Sequence, residues 1–242
     1  MARPKRINLP HCLYHVLSRT NSGNIAFRDR YDNEKFLSYL WKYCEMLSFR
    51  VHAWCLMDNH FHLLLESVNR PALPQFMHNL LTAYTVYYNR RHNRHGHLFQ
   101  GRYKSYVVDK KSYLLAVSRY IHLNPVEAGL TDDPENYDGS SLKYYLKKMD
   151  DEPKFLRTTE TLSYFRGKRR KYGKFIRDGL DKNLKLEIVN QRYLADEAFI
   201  KRFRKRLGYS SQQGSRASAA SRKREITIRE LDDKKAKKIV TL

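Results

Sequence analysis

Two histidines one residue apart, His60 and His62 in WCLMDNHFHLLLES (54–67), interrupt a run that is otherwise apolar. On a strand, positions i and i+2 point to the same face, so both imidazoles would stand on one side. They are either packed core histidines or a pair that grips one metal ion. Neutral imidazole is a common metal ligand, and two from one strand leave coordination positions open for a substrate. No carboxylate announces itself as a third ligand. Glu66 and Asp58 are near in sequence but differently directed, and the spacing does not choose the metal. A second His-x-His, HGH at 95–97, lies with His92 in the polar, basic and glycine-bearing NRRHNRHGH and reads as a phosphate-contacting loop. His11, His15 and His52 read as ordinary strand or loop histidines.

With 18 tyrosines in the chain, any one of them is by default a packing or stacking residue. Tyr120 is raised by its neighbours. In SRYIHLNP it stands four residues before Asn124, so on a helix a phenol and an amide oxygen share a face, with Arg119 adding positive charge. A tyrosine hydroxyl can attack a phosphodiester and form a covalent phosphotyrosine, splitting one hard displacement into two reversible ones. A metal held by His60 and His62 would polarise the scissile phosphate. Asn124 reads equally as the cap of a short PVEAGL helix with Pro125 at its first turn. Around these residues, Arg90, Arg91, Arg94, Arg102 and Lys104 interleave with Tyr84, Tyr87, Tyr88, Phe99, Tyr103 and Tyr106. That mixture suits base stacking and backbone neutralisation; the plainer alternative is a helix whose aromatics are core and whose arginines are solvated.

The elements that must position these residues are legible from periodicity. A strand is expected in 11–20, a helix in 30–49 capped by Asp32 or Asn33, and two strands about a turn at Asp58–Asn59. Pro71 and Pro74 open a second helix running to Arg91; YKSYVV (103–108) is a strand; 110–124 is a third helix, stopped by Pro125. The order β-α-β-β-α-β-α is that of a split βαβ fold, α+β in class, with an antiparallel sheet and helices on one face. This core is expected over 1–150. Amphipathic basic segments make 151–211 a helical extension, and 212–242, with QQGSRASAASRKR, a basic linker and tail.

A net charge of +22 and a pI near 9.9 demand a polyanionic partner. Residues 1–150 carry 21 Lys and Arg against 13 Asp and Glu, a net of +8; residues 151–242 carry 26 against 12, a net of +14. No apolar run approaches the 18 or so residues of a spanning helix, and MARPKRINLP lacks a signal-peptide core. Three cysteines without a CxxC pair suit a reducing compartment. Nucleic acid in the cytoplasm is the expected partner, not a membrane.

Three motifs in register (HFH after the W-x-L-M-x-N hairpin, YTVYYNRRHNRHGHLFQGRYKS, and YIHLNPVEAGL) resemble the IS200/IS605-type Y1 transposases. Among them the sequence is most similar to the REP-associated tyrosine transposases of bacteria, over roughly residues 8 to 142. The resemblance implies that His60 and His62 hold a divalent metal, Mg²⁺ or Mn²⁺, with Asn124 completing the site and Tyr120 as nucleophile. It implies cleavage of single-stranded DNA at imperfect hairpins, leaving a 5′-phosphotyrosine and a free 3′-OH, followed by strand transfer, in a monomer or homodimer working at the nucleoid. Two other readings stand beside it. One is a hairpin DNA- or RNA-binding module without chemistry, which would not need a histidine pair beside a phenol. The other is a replication-initiation or relaxase-type nickase, whose relatives often carry large added domains.

Overall fold

In a computed structural model of the chain, described over residues 8–21, 24–69, 72–180, 185–189, 192–206 and 223–227, the expected core elements form in the expected order. Strand β1 (Leu13–Arg19) leads to α1 (Arg30–Leu47), the hairpin β2 (Phe49–Met57) and β3 (His60–Ser67), α2 (Leu73–Arg91), β4 (Lys104–Val108) and α3 (Lys110–Glu127). The core sheet runs β2-β3-β1-β4 with every neighbour antiparallel. It is an α+β fold built on the split βαβ plan.

The helices do not share one face, as the sequence reading expected. Tyr14 and Val16 of β1 and Phe61, Leu63 and Leu65 of β3 pack with Phe36, Leu40, Phe76 and Tyr84 of α1 and α2. Leu13, Leu17 and Leu64 point the other way, onto Leu114, Val117, Tyr120 and Ile121 of α3. The reason is that LYHVL and HFHLLL are apolar in both phases of the strand. Each uncovered Leu or Phe would forfeit about 1.5–3 kcal/mol of burial, so three on one face would consume much of a domain's 5–15 kcal/mol. Both faces are therefore covered.

Capping differs in detail. The cap of α1 is Asp29, whose carboxylate accepts from Asp32 N, rather than Asp32 or Asn33. Asp32 reaches back instead to accept from Arg28 N at 3.1 Å, the residue before the cap. Helix α3 is capped by Asp109 and runs through Pro125 to Glu127, so it is not stopped there and Asn124 caps no separate helix. Pro125 offers no N–H to the Ile121 carbonyl, so α3 gives up that bond and ends two residues later. From Val117 to Pro125 only Arg119 is not buried, because the sheet lies on one side of α3 and another helix on the other.

That second helix belongs to the extension. After α4 (Leu142–Leu146) and α5 (Thr158–Ser163), α6 (Arg169–Arg177) buries Tyr172, Gly173 and Ile176. Phe155, Leu156, Leu162, Tyr172 and Ile176 join the same core as the sheet. Beyond them the extension is not simply helical. β5 (Lys185–Val189) and β6 (Tyr193–Leu194) enter the sheet, β6 lying parallel to Val107–Val108 of β4, and α7 (Glu197–Arg206) follows. β7 (Lys223–Thr227), inside the stretch read as linker and tail, pairs antiparallel with β5, giving the order β2-β3-β1-β4-β6-β5-β7. The rest of 212–242 lies outside the described residues. Among the described residues no helix is long and apolar enough to cross a membrane.

Candidate active site

The hairpin turn is tied down before any chemistry is asked of it. The Asn59 carbonyl accepts from Thr20 N at 2.8 Å and the Asp58 carbonyl from Ala26 N at 2.6 Å, so the end of β1 and the loop after it hold the turn from outside. His60 and His62 then leave β3 on the α3 face, opposite Phe61. Their rings lie 5.2 Å apart, nearly perpendicular at 79°. Tyr120 of α3 meets them with its ring 5.6 Å from His62 in an edge-on contact. The strand pair and the helix thus bring together side chains nearly 60 positions apart, and all three are buried: His62 and Tyr120 at 0% exposure, His60 at 6%.

A residue that the sequence reading set aside belongs to the same cluster. His15, on β1, places Nε2 2.9 Å from His62 Nδ1 with the two rings 21° from coplanar, and meets Tyr120 edge-on at 5.5 Å. The signal lay in the register: β1 pairs Leu17 with His62 and Arg19 with His60, which brings His15 onto the histidine face diagonally. Nothing local in LYHVL reports that pairing.

The donor set suits a divalent cation. His60 Nδ1 contacts Asn59 Oδ1 at 2.7 Å and His62 Nδ1 contacts His15, so Nε2 is the nitrogen that each ring would offer a metal. Asn124, one turn beyond Tyr120, donates Nδ2 to the Tyr120 carbonyl at 2.9 Å. Its Oδ1 is buried and accepts no hydrogen bond among the described residues. Two imidazole nitrogens and an amide oxygen leave coordination positions open for a phosphate.

Elsewhere, His52, Glu66 and Glu160 have potential ligand atoms within 4.8 Å of one another. Here the cation is already supplied: Lys110 Nζ lies 2.7 Å from both Glu66 and Glu160. Burial raises the Glu66 carboxyl, yet the His52 and Lys110 contacts win and hold it at about 2. We read this cluster as an ion-paired tie between β2, β3, α3 and α5.

The basic loop divides into two classes. Arg90, Arg102 and Lys104 are exposed, and Arg94 is half-buried with its guanidinium 5.7 Å over the Tyr88 ring. Arg91 is committed elsewhere: it grips Asp29 through both carboxylate oxygens at 2.7 and 2.8 Å and Asp32 at 2.5 Å. That grip holds the Asp29 carboxyl at about 2. Tyr103 is buried in the core, as are Tyr84, Tyr88 and Phe99, so these rings stack on protein. Arg91 is thus spent on ion pairs within the protein, while Tyr103 packs in the core and lines the groove between this loop and α2. Gln100 N donates to Arg19 O at 2.7 Å, and Thr20 bridges to Phe99, so the loop lies beside the His60 end of the sheet. Arg119 stacks on Phe175 of α6 at 4.3 Å, rather than standing as a loose charge beside Tyr120.

The family profile described as "Transposase IS200 like" matches residues 8–124, which contain every residue of the histidine–tyrosine cluster. A solved REP-associated tyrosine transposase bound to a REP hairpin superposes with a TM-score of 0.52 at 13% identity, covering 66% of this chain and 96% of that one. A transposase candidate from Deinococcus radiodurans R1 superposes at a TM-score of 0.37 and 18% identity, covering 50% of this chain and 95% of that one, too weakly to bear on the fold. No curated protein matches the sequence. Over residues 8–124, a little under half of its length, the chain is similar to the IS200-like transposase family.

Proposed function

We propose that this protein nicks single-stranded DNA at hairpin, REP-like sequences and transfers the strand, as a DNA transposase with a tyrosine nucleophile. The observation that carries the reading is the meeting of the Tyr120 ring with the His60–His62 pair on one face of the sheet. Tyr120 Oη attacks the phosphorus; the P–O3′ bond breaks, the 3′-oxygen leaves as a hydroxyl, and the 5′-phosphate stays on the tyrosine. A returning 3′-hydroxyl reverses the step and joins a new strand. His60, His62 and Asn124 would hold the divalent cation, Mg²⁺ or Mn²⁺, which supplies charge neutralisation at the scissile phosphate.

The substrate class follows from charge and from the neighbour bound to a REP hairpin. The net charge of +22 draws a polyanion. Exposed Arg90, Arg102 and Lys104 lie along the loop that borders the His60 end. Between that loop and α2 runs an open groove of about 570 Å³, lined in part by Met77, Leu81, Leu98, Phe99 and Arg102, wide enough for an unpaired base. On this reading the protein works in the cytoplasm, on the nucleoid.

Full burial of Tyr120 is also what a hairpin-binding module without chemistry would show. His60→Ala and His62→Ala separate the two. Both variants should bind labelled hairpin oligonucleotides as the parent does and cut none in Mn²⁺ or Mg²⁺. Cutting at the parental rate by either variant would refute the metal site, and a parent that binds tightly without cutting would leave the binding module.

A further inference from the structure

We infer that His15 is a positioning residue: it holds His62 as the Nδ1–H tautomer and so turns the lone pair of Nε2 toward the metal position. The inference rests on the reading of His60 and His62 as metal ligands and adds to it a residue outside that pair. The contact between His15 Nε2 and His62 Nδ1 is 2.9 Å, a hydrogen-bond distance that holds one proton. If His15 donated, neutral His62 would carry its proton on Nε2 and could not ligate through that atom. If His62 donates, Nε2 is the lone-pair nitrogen. The second arrangement matches its neighbour. His60 Nδ1 faces the Asn59 side-chain oxygen at 2.7 Å, an acceptor, so His60 too carries its proton on Nδ1. Both rings of the His-x-His pair are thus addressed at the same atom from the protein side, the usual way an outer partner orients a ligating imidazole.

His15 is built to do this. It sits on β1, paired on both sides by β3 and β4, and is fully buried. Its ring lies side by side with that of His62, 21° from its plane, and is held by the edge contact with Tyr120 and a tilted contact with Tyr106 at 6.1 Å. A histidine placed only to fill space would not need its Nε2 aimed at a ligand's Nδ1.

The test reads the tautomer directly. Long-range ¹⁵N–¹H spectra of the full chain without metal should show His62 with a protonated Nδ1 and a pyridine-like Nε2, and His15 with a pyridine-like Nε2. A His62 protonated on Nε2, or on both nitrogens, would overturn the inference whatever the metal does. A second arm uses Mn²⁺ alone, with bound and free ion counted by electron paramagnetic resonance. His15→Leu, which cannot accept, should weaken Mn²⁺ binding roughly 10- to 100-fold. His15→Gln, whose amide oxygen can accept, should recover most of it. Parental affinity in His15→Leu would refute the inference. If His62→Ala binds Mn²⁺ as the parent does, the metal reading itself fails, an outcome separate from the tautomer seen by resonance.

Discussion

Acid should loosen this protein through one imidazole. His122, on α3, is buried with Nδ1 2.8 Å from the Tyr172 hydroxyl of α6 and Nε2 2.9 Å from Ser141 Oγ. Burial pushes its pKa down from 6.5 to about 3, so the folded protein keeps it neutral where the unfolded chain would protonate it. Between those values the unfolded state binds one more proton, and stability is lost as pH falls. A full proton is worth about 1.4 kcal/mol per pH unit, and the unfolded imidazole is half protonated at pH 6.5, so from pH 6.5 to pH 4.5 the loss attributable to His122 is about 2.3 kcal/mol. The window stops at 4.5 because the carboxyl of Glu66, held at about 2, begins to withdraw its own contribution below that. The assay is urea unfolding at half-unit pH steps for the parent and His122→Gln, taking the difference in slope so that other histidines cancel. The parent should lose about 1.2 kcal/mol per unit more than the variant, averaged across this window. Parallel stability–pH curves would refute the claim that a neutral, desolvated His122 joins the two elements.

Four further outcomes are expected. Tyr172→Phe removes the hydroxyl that meets His122 and leaves a buried ring nitrogen without it, so denaturation should show a loss of about 1–3 kcal/mol. Gly139→Ala would set a Cβ 2.5 Å from the Leu56 carbonyl and 2.8 Å from the Tyr137 ring, and should cost about 1–3 kcal/mol in the same measurement. Replacing Arg90, Arg102 or Lys104 by Ala should flatten the dependence of log K on log salt by about 0.7 each for single-stranded DNA. Arg91→Ala should leave that slope alone and lower stability instead, since its guanidinium is spent on Asp29 and Asp32.

The core elements were readable because each segment carries its own period. β1 through α3 appear where alternation and helical spacing put them, and the histidine pair stands at the Asp58–Asn59 turn as the sequence suggested. What could not be read depended on pairings distant in sequence. The strands' double apolar phase admits cover on one face or two, and only packing shows α3 opposite α1 and α2. Pro125 looked like a stop because local rules weigh its missing N–H and not the burial around it. The basic composition of 151–211 suggested helices, yet Tyr193 and Leu194 enter the sheet beside Val107 and Val108. His15 escaped notice for the same reason as Arg91: its role is set by a partner 47 positions away, as Arg91's is by Asp29, 62 positions away.

The central claim is that Tyr120 becomes covalently joined to DNA. Labelled hairpin oligonucleotides taken from the flanks of the gene, incubated with the full chain and Mn²⁺ or Mg²⁺, test it most directly, with EDTA as control. A denaturant-resistant adduct that needs the metal, maps to a peptide containing Tyr120 and disappears in Tyr120→Phe is the expected result. An adduct on another tyrosine, or nicking that persists in Tyr120→Phe, would contradict the account.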